Sequence, residues 1–165
     1  MKYIGLASFV LTVLSLLGGC DTANSLPDAS HRVINVEDTD EAMNAAIQKA
    51  KETFPAFEQN WKRNDIDGFS VKLGIETDED DLEHIWFTPT EIDDEQVTGT
   101  CANDPEKVAG LQFGDVRTVD RSAISDWMIM ENGKCYGGYT IRVLSDRDPD
   151  AAPPLEFADY PTDSN

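Results

Sequence analysis

FSVKLGIETDEDDLEHIWF, residues 69–87, is the stretch on which the fold turns. Phe69, Val71, Leu73 and Ile75 alternate with Ser70, Lys72 and Gly74. A period of two puts the apolar set on one side of a half-buried strand. The acidic turn 76–81 then leads into a second strand. There Leu82, His84 and Trp86 share one face, and Glu83, Ile85 and Phe87 share the other. Upstream the period is helical: Met43, Ala46, Ile47, Ala50 and Phe54 recur on one stripe, with Asp38 and Glu41 at capping-box spacing. Pro55 is expected to end that helix near Thr53 and to open a short turn carrying Phe57 and Trp61. NDIDG, residues 64–68, is turn chemistry.

Downstream, QVTGTCAN (96–103), GDVRTVD (114–120) and ISDWMIME (124–131) read as three more strands. Asp104-Pro105 suggests a capped short helix through Leu111. Asn132-Gly133 is a tight hairpin turn, and GGYTIRVLSD (137–146) fits either a strand or a short helix capped by Thr140. One helix followed by about five strands is an α+β arrangement, a small curved antiparallel sheet packed on one N-terminal helix.

The ends differ in character. Lys2 is the only charge before Asp21, and residues 4–17 are mostly apolar. Fourteen such residues are short of the roughly 20 that a membrane-spanning helix needs. They suit a signal peptide over residues 1–19. Leu17-Gly18-Gly19-Cys20 resembles the lipobox of bacterial lipoproteins. That resemblance implies acylation of Cys20, cleavage before it, and anchoring of the chain to a membrane by lipid. Cleavage by the ordinary signal peptidase is the alternative. Asp21 resembles an inner-membrane retention signal, which implies the periplasmic face of the inner membrane in a Gram-negative cell. Residues 20–35 read as a flexible tether, 36–145 as the folded domain, and 146–165 as a disordered acidic tail containing Pro149, Pro153, Pro154 and Pro161.

The chain has 13 Lys and Arg against 32 Asp and Glu, a net charge of −19. Removing residues 1–19 takes away Lys2 alone, leaving 12 against 32, or −20. Such a surface is repelled by phosphate backbones, so nucleic acid is an unsuitable partner. Residues 76–95 carry ten Asp and Glu and no Lys or Arg.

Cys101 and Cys135 remain after processing. In an oxidising compartment they are expected to pair, two separate thiols being the alternative. Glu83, His84 and Trp86 are candidate binding residues. His84 suits an acid, a base or a ligand, although its place beside Leu82 and Trp86 equally suits a hydrogen-bonded core imidazole. Trp86 and Trp127 read as core anchors as well as binding candidates. Asp115 fits a turn entering a strand, and Asp126 fits a carboxylate at a strand kink bonded to backbone amides. DRDPDAA (146–152) and RNDIDG (63–68) fail the EF-hand pattern, so no metal site and no cofactor is assigned.

EHIWF (83–87), TGTCANDPEKVAGLQFGDVRTV (98–119), ISDWMI (124–129) and GGYTIRVL (137–144) together resemble the YegJ-like family, a bacterial domain of unknown function. The resemblance spans residues 38–146 and implies a small α+β domain in a secreted or membrane-associated setting. It carries no activity and transfers no catalytic residue. The expectation is a monomeric, lipid-anchored, non-enzymatic domain that binds a basic protein partner. The alternative is a small hydrolase or metal-dependent enzyme using Glu83, His84, Asp115 and Asp126, which requires those four to converge.

Overall fold

Asp40 opens the first helix: its carboxylate accepts the Met43 amide at 3.1 Å, and α1 runs Glu41–Asn60. The computed structural model describes residues 40–79, 81–150 and 154–160. Asp38, the expected cap, lies outside them, as do Asp80, Cys20, Asp21, the signal segment 1–19 and the tether 20–35. The helix does not end at Thr53 but continues through Pro55. A proline inside a helix costs about 3 kcal/mol. Beyond it, Phe57 is fully buried and Trp61 is 6% exposed. Each such burial contributes about 1.5–3 kcal/mol, so the apolar stripe outweighs the lost hydrogen bond. The rings of Phe54, Phe57 and Trp61 stack in sequence, with centroids 5.3 and 6.2 Å apart.

The sheet follows: β1 (Gly68–Glu76), β2 (Leu82–Ile92), β3 (Gln96–Cys101), β4 (Val116–Asp120), β5 (Ile124–Glu131) and β6 (Lys134–Gly137). A helix α2 (Tyr139–Arg147) and a short β7 (Glu156–Ala158) complete the described chain. The strand order is β4-β3-β2-β1-β5-β6-β7, antiparallel except for the β6–β7 pair. The α+β class expected from the sequence is present, with seven strands rather than about five and two α-helices rather than one among the described residues. Val71, Leu73, Ile85, Phe87, Val97, Trp127 and Ile129 form one buried face that packs with Ala50, Phe54 and Phe57 of α1.

Several local expectations change. Residues 104–111 form no helix. The amides that would begin one, those of Glu106, Lys107 and Val108, donate instead to the Glu83 carboxylate at 2.7–3.1 Å. Gly110, at φ +69°, then turns the chain. The ambiguous segment 137–146 is helical, but its cap is Gly138, at φ +62°, rather than Thr140. Gly137 is required for a different reason. A Cβ there would lie 2.3 Å from the Trp127 carbonyl oxygen and 2.6 Å from its ring.

The segment read as a disordered tail is ordered where it is described. β7 adds to the sheet, the Tyr160 ring lies tilted against Tyr136 with centroids 4.5 Å apart, and Arg142 holds Asp159 and the Ala158 carbonyl. The expected Cys101–Cys135 disulfide is also corrected, for both cysteines are buried and free. β3 and β6 are separated by β2, β1 and β5. Four ladder steps of about 4.8 Å put them some 19 Å apart, far beyond the roughly 7 Å limit for a bridge. Cys101 Sγ donates to the Asn103 carbonyl instead.

Candidate functional site

Lys72 lies opposite Trp86 on β2 and Asp126 on β5. Its side chain enters a compact polar cluster. Nζ donates to Thr140 Oγ1 at 3.2 Å and sits 5.3 Å from the centre of the Trp86 ring. Thr140 Oγ1 donates in turn to Asp126 Oδ2 at 2.6 Å. Asp126 is fully buried and also accepts the amides of Trp127, Tyr139 and Thr140 at 2.8, 3.1 and 2.8 Å. It therefore satisfies the N-terminal donors of α2 from another element, the work a capping residue does locally. Burial pushes the Asp126 pKa up, against the donors and the Lys72 charge, and burial pushes the Lys72 pKa down against Asp126.

Asp126 reaches α2 because β5 bulges against β1: Lys72 faces Asp126 while Leu73 faces Ile124, so Ser125 is the extra residue. Ser125 Oγ donates to the Lys72 carbonyl at 3.2 Å and lies 2.8 Å from His84 Nδ1. A hydroxyl has one proton. With that proton on the Lys72 carbonyl, His84 Nδ1 is the donor and its Nε2 the free lone pair. Burial, followed by the Lys72 charge, lowers the His84 pKa. In that tautomer Ser125 accepts from His84 and gives its own proton to the backbone, the reverse of a serine activated by a histidine base.

The alternation in LEHIWF identified the two faces but not which one is core. Ile85 and Phe87 are fully buried, whereas Leu82 is 52% exposed. His84 is therefore no core imidazole; it lies on the opposite face with Trp86, which is half-buried. Trp127 is the core anchor, its indole nitrogen donating to the Ala50 carbonyl at 3.0 Å.

The four groups of the enzymatic alternative do not meet. Glu83 holds the 106–108 amides, and Asp115 accepts the Gln112 amide in the turn before β4. His84 turns to Ser125, and Asp126 to α2. An open groove of about 820 Å³ runs past His84, Ser125 and Gly74. Among the described residues, no group of three or more His, Cys, Asp or Glu could hold a metal ion, and no helix is long and apolar enough to cross a membrane. Lys72 and Thr140 were absent from the sequence-based candidates. A lysine among alternating apolar residues reads as the solvent side of a strand, and only the bulge and α2 enclose it.

A bacterial family described as uncharacterized and conserved in bacteria, DUF2314, matches residues 40–151. The uncharacterized protein YegJ of Escherichia coli K12 is 33% identical over 135 residues, 82% of this chain and 86% of that protein. A putative ankyrin repeat protein of Neisseria meningitidis serogroup B is 34% identical over 118 residues, 66% of this chain. This chain spans 47% of that relative's length. No solved structure matches.

Proposed function

The chain belongs to the DUF2314 family, and from that premise we propose that it is a lipid-anchored, non-enzymatic domain that binds a basic protein partner through its acidic surface. The carrying observation is how its charges are used. Arg63, Lys107, Arg121, Lys134, Arg142 and Arg147 each hold a carboxylate of the same chain, and Lys72 is enclosed with Asp126. Glu83, Asp115 and Asp126 hold backbone amides. Asp78, Glu79, Asp94 and Glu95 are left on the surface of a chain whose net charge is −19. Such a surface steers a basic partner and repels an acidic one.

The anchor in this reading is an acyl group on Cys20, with Asp21 directing retention at the periplasmic face of a Gram-negative inner membrane. Intact mass of the wild type against Cys20→Ala tests the anchor; mature forms of equal mass after correction for the substitution overturn it. The binding reading is tested by crosslinked capture from the native membrane, followed by association kinetics at low and high salt. The on-rate should fall as salt rises and fall again in Asp78→Asn/Glu79→Gln. Asp81 is left intact because it holds the Leu82 amide and Lys107. An on-rate indifferent to both changes overturns the reading.

A further inference from the structure

β4 is the outermost described strand on its side of the sheet, paired with β3 alone. The bonds flanking it fix which of its backbone groups face outward. The Arg121 amide donates to the Glu95 carbonyl, and the Cys101 amide to the Asp115 carbonyl, both at 2.8 Å. Antiparallel ladders alternate hydrogen-bonded and non-bonded pairs. Between those two pairs, the bonded ones are therefore Val97–Val119 and Gly99–Arg117 in the observed register. The N–H and C=O groups of Val116 and Thr118 and the N–H of Asp120 must then point away from β3, while the Asp120 carbonyl caps the 3-10 turn Arg121–Ala123. The 2.8 Å contact between the Thr98 and Thr118 hydroxyls fits the closer approach of a non-bonded pair.

Natural edges are blunted by short length, by charged side chains (lysine above all), and by proline, bulges or covering elements; β4 is short and carries Asp120 at its end. β4 has no proline or lysine, and Arg117 is folded back onto the Gly110 carbonyl at 2.8 Å. Val116 is 62% exposed, and Phe113, in the turn feeding the strand, is 66% exposed. At the far end stands Asp120, beside Asp94 and Glu95 of the β2–β3 turn; Lys51 and Arg121 line the same hollow but are turned onto the Ser122 carbonyl and Glu58. The edge is thus apolar at one end and acidic at the other, with Val116, Thr118 and Asp120 on one face.

We infer that β4 docks an extended segment of a basic protein partner as an added antiparallel strand. Backbone pairing supplies affinity and alternate side chains supply selectivity. The segment carries Lys or Arg opposite Asp120 and, four residues later on the same face, an apolar side chain opposite Val116. This deepens the binding reading above and rests on it. A second copy of this chain is a poorer occupant, because two surfaces of charge −19 repel each other.

The probe is a blocked peptide, TKTTTVT, added at millimolar concentration to the full-length chain in detergent, with TETTTVT as control. Residue-resolved amide exchange is the readout. The Val116, Thr118 and Asp120 amides should slow by about tenfold or more at saturation, while the already bonded Arg117 and Val119 amides barely change. Thr118→Pro removes an outward donor, keeps every backbone bond to β3 at the cost of the Thr98–Thr118 hydroxyl contact, and should abolish the protection. Asp120→Lys, which leaves the backbone intact, should switch preference from the lysine peptide to the glutamate peptide. No slowing, slowing that survives Thr118→Pro, or an unchanged preference in Asp120→Lys overturns the inference. Slowing that depends on protein concentration without peptide assigns the edge to a second copy and overturns it too. Should a captured partner keep its salt-dependent on-rate in Thr118→Pro, the binding reading stands and the edge-strand inference alone fails.

Discussion

Asp126 shows how one side chain serves two elements. Its carboxylate accepts four donors, three of them from the first residues of α2. Asp126→Asn keeps the size but puts an NH2 group against backbone amides, leaving a buried donor facing donors. That should cost about 1–3 kcal/mol in denaturant unfolding, with faster exchange first in α2. Unchanged stability would mean that α2 holds its place by packing alone. The thiols follow a similar logic. Burial pushes Cys135 up to about 11, with Arg142 opposing, and raises Cys101 as well. Thiolate is the reactive form, so neither should alkylate at neutral pH in the folded chain. Both should alkylate without reductant once the chain is unfolded. Recovery of a linked peptide pair would contradict the strand order.

At the level of elements, Arg147 at the end of α2 forks onto Asp40 at the start of α1, with one of its two bonds at 2.6 Å. The Arg147 hydrogen bond, followed by the Met43 amide, holds the Asp40 carboxyl at about 2, below its ordinary 3.8. A depressed carboxylate contributes stability that is present above the unfolded-state pKa and lost as pH falls through the folded one. The window is therefore pH 4 to 2. Asp40→Asn preserves the cap on Met43, since asparagine also caps, but loses the ion pair. The stability gap between wild type and this variant should be constant down to about pH 4 and close towards pH 2. A gap that persists undiminished at pH 2 would assign the effect to the cap. This contact also marks the limit of what local pattern reveals. The period-two runs placed β1 and β2, the segments QVTGTCAN, GDVRTVD and ISDWMIME placed β3, β4 and β5, and Asn132-Gly133 placed the β5–β6 hairpin, because those signals lie within a few residues. α2 and β7 depend on partners far along the chain: Asp126, Asp40 and β6. The sequence around Thr140 alone could not choose between strand and helix. The disulfide failed for the same reason, because two cysteines in a sequence say nothing of how many strands will lie between them.

For the whole molecule, charge is the dominant unbalanced quantity. With 32 acids against 13 bases, the chain carries a net −19, and such an excess of one sign opposes compactness through self-repulsion. Two effects of added salt compete. Screening relieves the long-range repulsion, and it also weakens ion pairs such as Arg121–Glu58 and Arg63–Glu131. Exposed pairs contribute about 0–1 kcal/mol each. These two are half-buried, close and multiply hydrogen-bonded, and so are less screened than charges separated across the surface. The repulsion among the unpaired acids should therefore be the term that salt changes most. Raising sodium chloride from about 10 mM to 150 mM shortens the Debye length from about 30 Å to 8 Å. The midpoint of thermal unfolding should rise over that range. Asp78→Asn/Glu79→Gln should raise the low-salt midpoint slightly and flatten its salt dependence, because both residues are exposed and add only repulsion. The same substitutions should slow association with a basic partner. A variant that is more stable yet slower to bind would show that the acids on this turn are maintained for recognition at a cost to the fold. A midpoint that falls with salt would place the ion-pair network above the net charge and remove that argument.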